Sequence, residues 1–136
     1  MLLDYHSDME PRRAISPVTV SDNTAQVSQI IDLQAVAYLE FVLFTAALVD
    51  ADATFTVLVE HGDQANLSDA AAAPDSDLLG LEADASFTFA ADDSVRSIGY
   101  RGSKRYVRLT VTPAANTLGA TFGAVALCGR KKVGSL

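Results

Sequence analysis

Residues 105–112 alternate with period two. Arg105, Val107, Leu109 and Val111 share one face, and Tyr106, Arg108, Thr110 and Thr112 share the other. This is the pattern of a strand with one face in a core. The same period runs through TFTVLVEHG, where Phe55, Val57 and Val59 alternate with Thr54, Thr56 and Leu58. It returns between Ala120 and Cys128, with Phe122, Ala124 and Ala126 on one face and Val125 and Leu127 on the other. Residues 35–47, AVAYLEFVLFTAA, are apolar on both faces: Leu39, Phe41 and Leu43 against Tyr38, Val42 and Phe44. A strand of that kind belongs in the middle of a sheet or under a partner. The turn LVDADA that follows predicts a hairpin joining it to TFTVLVEHG.

Elsewhere the pattern is weaker. Gln26 to Leu33 offers a short apolar run, and SFTFA and SVRSIGYRG predict two short strands around the Asp92-Asp93 turn. Between His61 and Ala85 the chain is rich in Ala and Asp and predicts an excursion with one helical turn, of a length that can carry contacts. The first 25 residues hold Pro11, Pro17 and mixed charges without sustained period, which predicts an arm with at most one short strand near Ile15 to Val20. Together these features predict an all-β fold, an antiparallel β-sandwich or jelly-roll-like barrel of about 7–8 strands. The expected organisation is an extended N-terminal arm over 1–25 and a single β domain over 26–136 that ends in the short basic tail GRKKVGSL.

The 136 residues suffice for one domain with its own core. No apolar run approaches the roughly 20 residues of a membrane-spanning helix. The acids in MLLDYHSDMEPRR predict no secretory leader, hence assembly in a cytoplasm, and no membrane partner. Cys128, the single cysteine, reads as a small buried hydrophobe. Charge changes the picture most. The net charge is -7; there is no Lys or Arg from Ala14 to Val95, where fourteen acids lie, and no acid among the residues from Arg96 onward, where eight bases lie. The chain is electrically divided.

Candidate chemistry is sparse. His6 and His61 lack further ligands at metal spacing, and Asp50-Ala51-Asp52 and Asp75-Ser76-Asp77 read as solvated turns, since neither continues into a calcium-loop pattern. Neither a GxSxG elbow nor a phosphate-binding loop is present, and Gly99 and Gly102 read as a strand bend or tight turn. The reading is a non-enzyme with no metal and no cofactor. The basic segment is the feature left over. Arg101, Lys104, Arg105 and Arg108, interleaved with Tyr100 and Tyr106, could face phosphates and bases, pair with the chain's own acids, or face another protein. The net negative charge argues against nucleic acid. Tyr100, Arg101, Lys104, Tyr106 and Arg108 are the candidate interface residues, because Tyr and Arg are enriched in protein contacts. Arg105, on an otherwise aliphatic face, is expected to pair with an acid or sit at the rim.

The run SIGYRGSKRYVRLTVTP followed by ATFGAVALCGRKK, together with VLFTAALVDADATFTVLVEHGD, resembles a family of small virion proteins of tailed bacteriophages. The likeness spans roughly residues 30 to 131, with the context a motif needs. It implies a capsid decoration, or cement, protein made in the host cytoplasm. In the virion such a protein sits on the capsid surface, bound to the major capsid protein, often as a homotrimer, and stabilises the shell. It brings no catalytic residues. The rivals are a head-tail connector or tail component, and a carbohydrate- or receptor-binding β-sandwich module. The last is disfavoured by the lack of Trp and by only four Tyr.

Overall fold

The computed structural model describes residues 4–130. Among them the strands are β1 Met9–Val20, β2 Gln26–Val27, β3 Ile31–Asp32, β4 Val36–Leu48, β5 Thr54–Gly62, β6 Ala71–Ala72, β7 Leu78–Leu79, β8 Phe87–Thr88, β9 Val95–Tyr100, β10 Tyr106–Ala114 and β11 Ala120–Arg130. The excursion, where one helical turn is expected, holds two, the 3-10 turn Asp75–Asp77 and α1 Glu82–Ala85. One sheet has the order β1-β11-β4-β9-β7. The other has the order β2-β10-β5-β6, with β3 also on β10 and β8 also on β5. The pairings are antiparallel, and the two sheets form a sandwich.

The alternation read along the chain sets the core. Val107, Leu109 and Val111 of β10 are fully buried and face the same layer as Phe55, Val57 and Val59 of β5. Leu39, Phe41 and Leu43 of β4, with Phe122, Ala124, Ala126 and Cys128 of β11, close that layer from the other side. The rings of Phe55 and Phe87 stack at 4.8 Å between centroids, and Phe122 meets both edge-on at 5.9 and 5.8 Å. Each such buried ring contributes about 1.5–3 kcal/mol over an exposed one, so this joint between the sheets is a main source of cohesion. Cys128 is buried as expected, and burial pushes its thiol above the ordinary value.

Two expectations change. The segment from 35–47 to TFTVLVEHG is not a hairpin: β4 pairs with β11 and β9, whereas β5 pairs with β10. Both strands put a fully apolar face into one core, and crossing between sheets buries both faces against each other, which a flat hairpin cannot do. Asp50 fixes that crossing. Its carboxylate accepts the backbone N–H of Asp52 and both the N–H and hydroxyl of Thr117, tying it to the neighbouring crossing from β10 to β11.

The second change is at the start of the chain. The expected short strand near Ile15 to Val20 is a twelve-residue edge strand, Met9–Val20, and Ala14, Ile15 and Val20 lie in the core. An edge strand tolerates Pro11 and Pro17 because one row of its N–H groups has no sheet partner to lose. Register shifts between Arg13 and Ile15 and between Ile15 and Val18 absorb the irregularity. Of the basic tail, residues 131–136 lie outside the described ones.

Candidate functional site

The basic segment sits at one end of the sandwich, where β9 ends, β10 begins and β4 starts. Alternation along β9 turns Ile98 and Tyr100 inward, so Tyr100 is 2% exposed and belongs to the core, not to a surface face. Its hydroxyl accepts the Lys104 N–H at 3.1 Å and stands 2.9 Å from Nδ1 of the buried His61. Burial raises the Tyr100 pKa. The tyrosine thus pins the β9–β10 loop to β5.

The cations mostly face the chain's own acids. Lys104 Nζ is 2.9 Å from Asp63, and Arg108 Nε is 3.0 Å from Glu60, its cross-strand partner on β5. Arg105 grips Asp32 with two bonds of 2.9 and 3.0 Å, reaches Gln34 Oε1 at 2.6 Å, and lies 5.1 Å from the Tyr106 ring centre. Arg105 is therefore paired and half-exposed, as expected of it. Its hydrogen bonds hold the Asp32 carboxyl below the ordinary range, and Asp63 raises the Lys104 ammonium. Arg101 differs. Its backbone N–H bonds to Asp77 O and its Nε to Ser76 O, but no carboxylate faces its guanidinium among the described residues. Arg101, Lys104 and Arg105 thus clasp the acidic stretches at 32, 63 and 76–77 to the sandwich.

The five expected interface residues do not form one face. Arg101 and Lys104 rim a hollow of about 430 Å³, with Tyr100 in its wall. Tyr106 and Arg108 lie on the outer face of the β10–β5 sheet among Thr56, Thr110 and Thr112. A residue the sequence reading placed only as half of an apolar strand completes the site. Tyr38 borders that hollow and also a second one of about 540 Å³, lined by Tyr5, Met9, Glu40 and Leu127. The Tyr38 ring leans across onto β11 over Gly129, where an added Cβ would come within 2.1–2.3 Å of it. One side of the ring is thereby supported and 54% of the residue stays open. The signal available in the sequence was the Tyr38–Glu40 alternation, a ring and an acid on the face turned away from the core.

Among the described residues no group of three or more His, Cys, Asp or Glu is placed to hold a metal, and no helix is long and apolar enough to cross a membrane. The arrangement can bind, through the open Tyr38 ring, the terminal nitrogens of Arg101 and the Glu40 carboxylate.

Comparison with known proteins adds the fold. No family model matches the chain, and no curated protein matches it. Among solved structures it is similar to PBSX exported protein XepA, with a TM-score of 0.56 and 14% identity over 91% of this chain and 37% of that one. It is also similar to the CBM22-1-GH10 modules of Clostridium thermocellum endo-1,4-beta-D-xylanase 10B, solved with xylohexaose. There the TM-score is 0.53 with 14% identity, over 94% of this chain and 25% of that one. The chain therefore spans about a third of the first protein and a quarter of the second, and what it shares with both at this identity is the β-sandwich.

Proposed function

We propose that the chain is a non-enzymatic structural protein of a phage virion, a decoration protein that binds the outer surface of the major capsid shell and stabilises it, as a homotrimer. The supporting observation is the end of the sandwich opposite the basic segment. Val49, Phe89, Val95 and Leu118 are 58%, 43%, 69% and 64% exposed there. Val49 N–H donates to Gly119 O and so brings Val49 beside Leu118, while the pairing of Val95 with Phe44 and of Thr88 with Thr54 sets Val95 and Phe89 toward the same end of the strands. A cluster of exposed aliphatic and aromatic side chains is what a protein contact covers. Binding only the assembled shell then stabilises it by mass action. The likeness to the phage exported protein XepA supports a phage setting at the level of fold.

The test is cosedimentation with phage shells assembled without the chain, at low and high salt, with light scattering of the free protein. The expected result is saturable binding that salt barely weakens, because the contact is apolar and Lys104, Arg105 and Arg108 are engaged within the chain, and a trimer mass. Leu118→Asp and Val49→Asp should each reduce binding at least about tenfold, the effect of burying a charge in an apolar contact. Attachment to connector or tail assemblies with no binding to shells would replace the decoration role with a connector or tail role.

A further inference from the structure

We infer that the Tyr38 end of the sandwich is a saccharide-binding trough, in which sugar units stack on the Tyr38 ring between the Glu40 carboxylate and the Arg101 guanidinium. The inference does not rest on the shell reading, because Tyr38 and the apolar end lie at opposite ends of β4.

The geometry carries it in three steps. First, Tyr38 lines both hollows, so its ring stands between them and borders each. Their volumes, about 430 and 540 Å³, lie in the range of small-molecule sites. Second, the ring is held as a platform. Gly129 beneath it lets the ring lie across β11, and Tyr5, 80% exposed, borders the second hollow from the β1 side. A sugar presents C–H groups on its flat faces and hydroxyls at its edge, which matches a ring that is apolar over its face and polar at its tip.

Third, hydrogen-bonding groups wait on both flanks. Glu40 is half-buried among Leu127 and Gly99 and has no hydrogen-bond or ion-pair partner among the described residues. A carboxylate so placed accepts hydroxyl hydrogens. On the other flank Arg101 uses only Nε, leaving its two terminal nitrogens to donate to hydroxyl or ring oxygens. Lys104 and Arg105 are already engaged by Asp63 and Asp32, so the flank is not a general anion sink. A lone acid within an apolar sheet face disfavours an apolar occupant, whereas a polyhydroxylated one satisfies it.

The experiment uses the full chain in native gels cast with xylan, mixed-linkage β-glucan, galactomannan or polygalacturonate, followed by calorimetry with the hexasaccharide of whichever polymer retards it. At least one polymer should retard the parent protein. Tyr38→Ala should weaken the hexasaccharide about tenfold, the scale of one aromatic contact. Glu40→Gln and Arg101→Ala should each weaken it severalfold. Gly129→Ala, which displaces the ring without removing it, should weaken it too, and Leu118→Asp should leave it unchanged. Thermal unfolding of each variant reports that the fold is intact. Absence of retardation on all four polymers, or equal affinity in Tyr38→Ala, would overturn the inference. So would light scattering in which Tyr38→Ala alone converts an oligomer to a monomer, which would assign this face to a second copy.

Discussion

The same strands build both ends of the sandwich, and the two ends satisfy their acids by different means. At the apolar end, the buried Asp50 and the exposed Asp92 accept backbone N–H groups, Asp50 from Asp52 and Thr117 and Asp92 from Leu48. At the hollow end, Asp32, Glu60 and Asp63 face Arg105, Arg108 and Lys104, in addition to backbone N–H groups that Asp32 accepts from Gln34 and Asp69 from Asp63 and Gln64. The cause is the division of charge along the chain. No base lies between Ala14 and Val95, so acids in the first end's loops have only neutral donors within reach. Of the cations on and between β9 and β10, Arg101, Lys104, Arg105 and Arg108 lie toward the second end, whereas Arg96, beside Val95, donates to the Asp84 carbonyl. The first end exposes the apolar Val49, Phe89, Val95 and Leu118 beside its acids; the second exposes the Tyr38 ring, the Glu40 carboxylate and the Arg101 guanidinium.

The comparison can be broken most severely at Phe122, whose ring joins the sheets beneath the apolar end through Phe55 and Phe87. Phe122→Ala should cost about 3–5 kcal/mol in urea denaturation. Amide exchange should quicken at Leu48 and Val49 more than at Lys104. Equal quickening at both ends would mean that they share one cooperative unit. Next is Gly123, whose Cα lies under the Phe44 ring. An added Cβ would come within 2.8 Å of that ring and 3.1 Å of the Ile15 carbonyl, which cannot yield as a side-chain tip can. Gly123→Ala should cost about 1–3 kcal/mol, read from the denaturation midpoint.

Acid separates the two kinds of carboxylate. Hydrogen bonds from Thr117 and Asp52 hold Asp50 below the ordinary aspartate value of 3.8, and Arg105 does the same for Asp32. A carboxyl whose folded pKa is depressed contributes stability that is present above its unfolded value and is lost as pH falls through the folded one. Stability should therefore fall as pH drops below 3.8. Asp50→Asn should flatten that fall at any ionic strength. Asp32→Asn should flatten it less in high salt than in low, because only its partner is an ion. The smallest effect is expected at the exposed Lys104–Asp63 pair. Lys104→Ala should leave the denaturation midpoint within experimental error. A clear loss would mean that this clasp, more than Tyr100, holds the β9–β10 loop.

Much of this molecule was legible residue by residue. The inward sets of β5 and β10 followed from period two, which divided β4 and β11 into two faces without saying which enters the core; the burial of Cys128 followed from the habit of free cysteines, and the pairing of Arg105 from the cost of a lone buried charge. The candidate site was legible in part. Arg101 and Lys104 reach the hollow, but Tyr100 is inside and Tyr106 and Arg108 are on another surface. A basic run in the sequence is one line, while in a strand its members alternate between faces and its ends turn corners. Tyr38 escaped notice because one exposed ring on a central strand looks, in sequence, like one more apolar residue.

The sequence alone determined the alternating faces of the long strands, that the fold is an antiparallel β-sandwich or its near relative, and that acids and bases occupy separate stretches. These are properties of short windows, in which alternation and composition act locally. Only the tertiary structure decided that β4 and β5 lie in different sheets, that Met9–Val20 is an edge strand, and that Tyr38 rather than Tyr100 is the open ring. A hairpin and a crossing between sheets leave the same residues apolar. The choice between them comes from contacts far apart in the chain, such as Phe55 with Phe122 and Asp50 with Thr117.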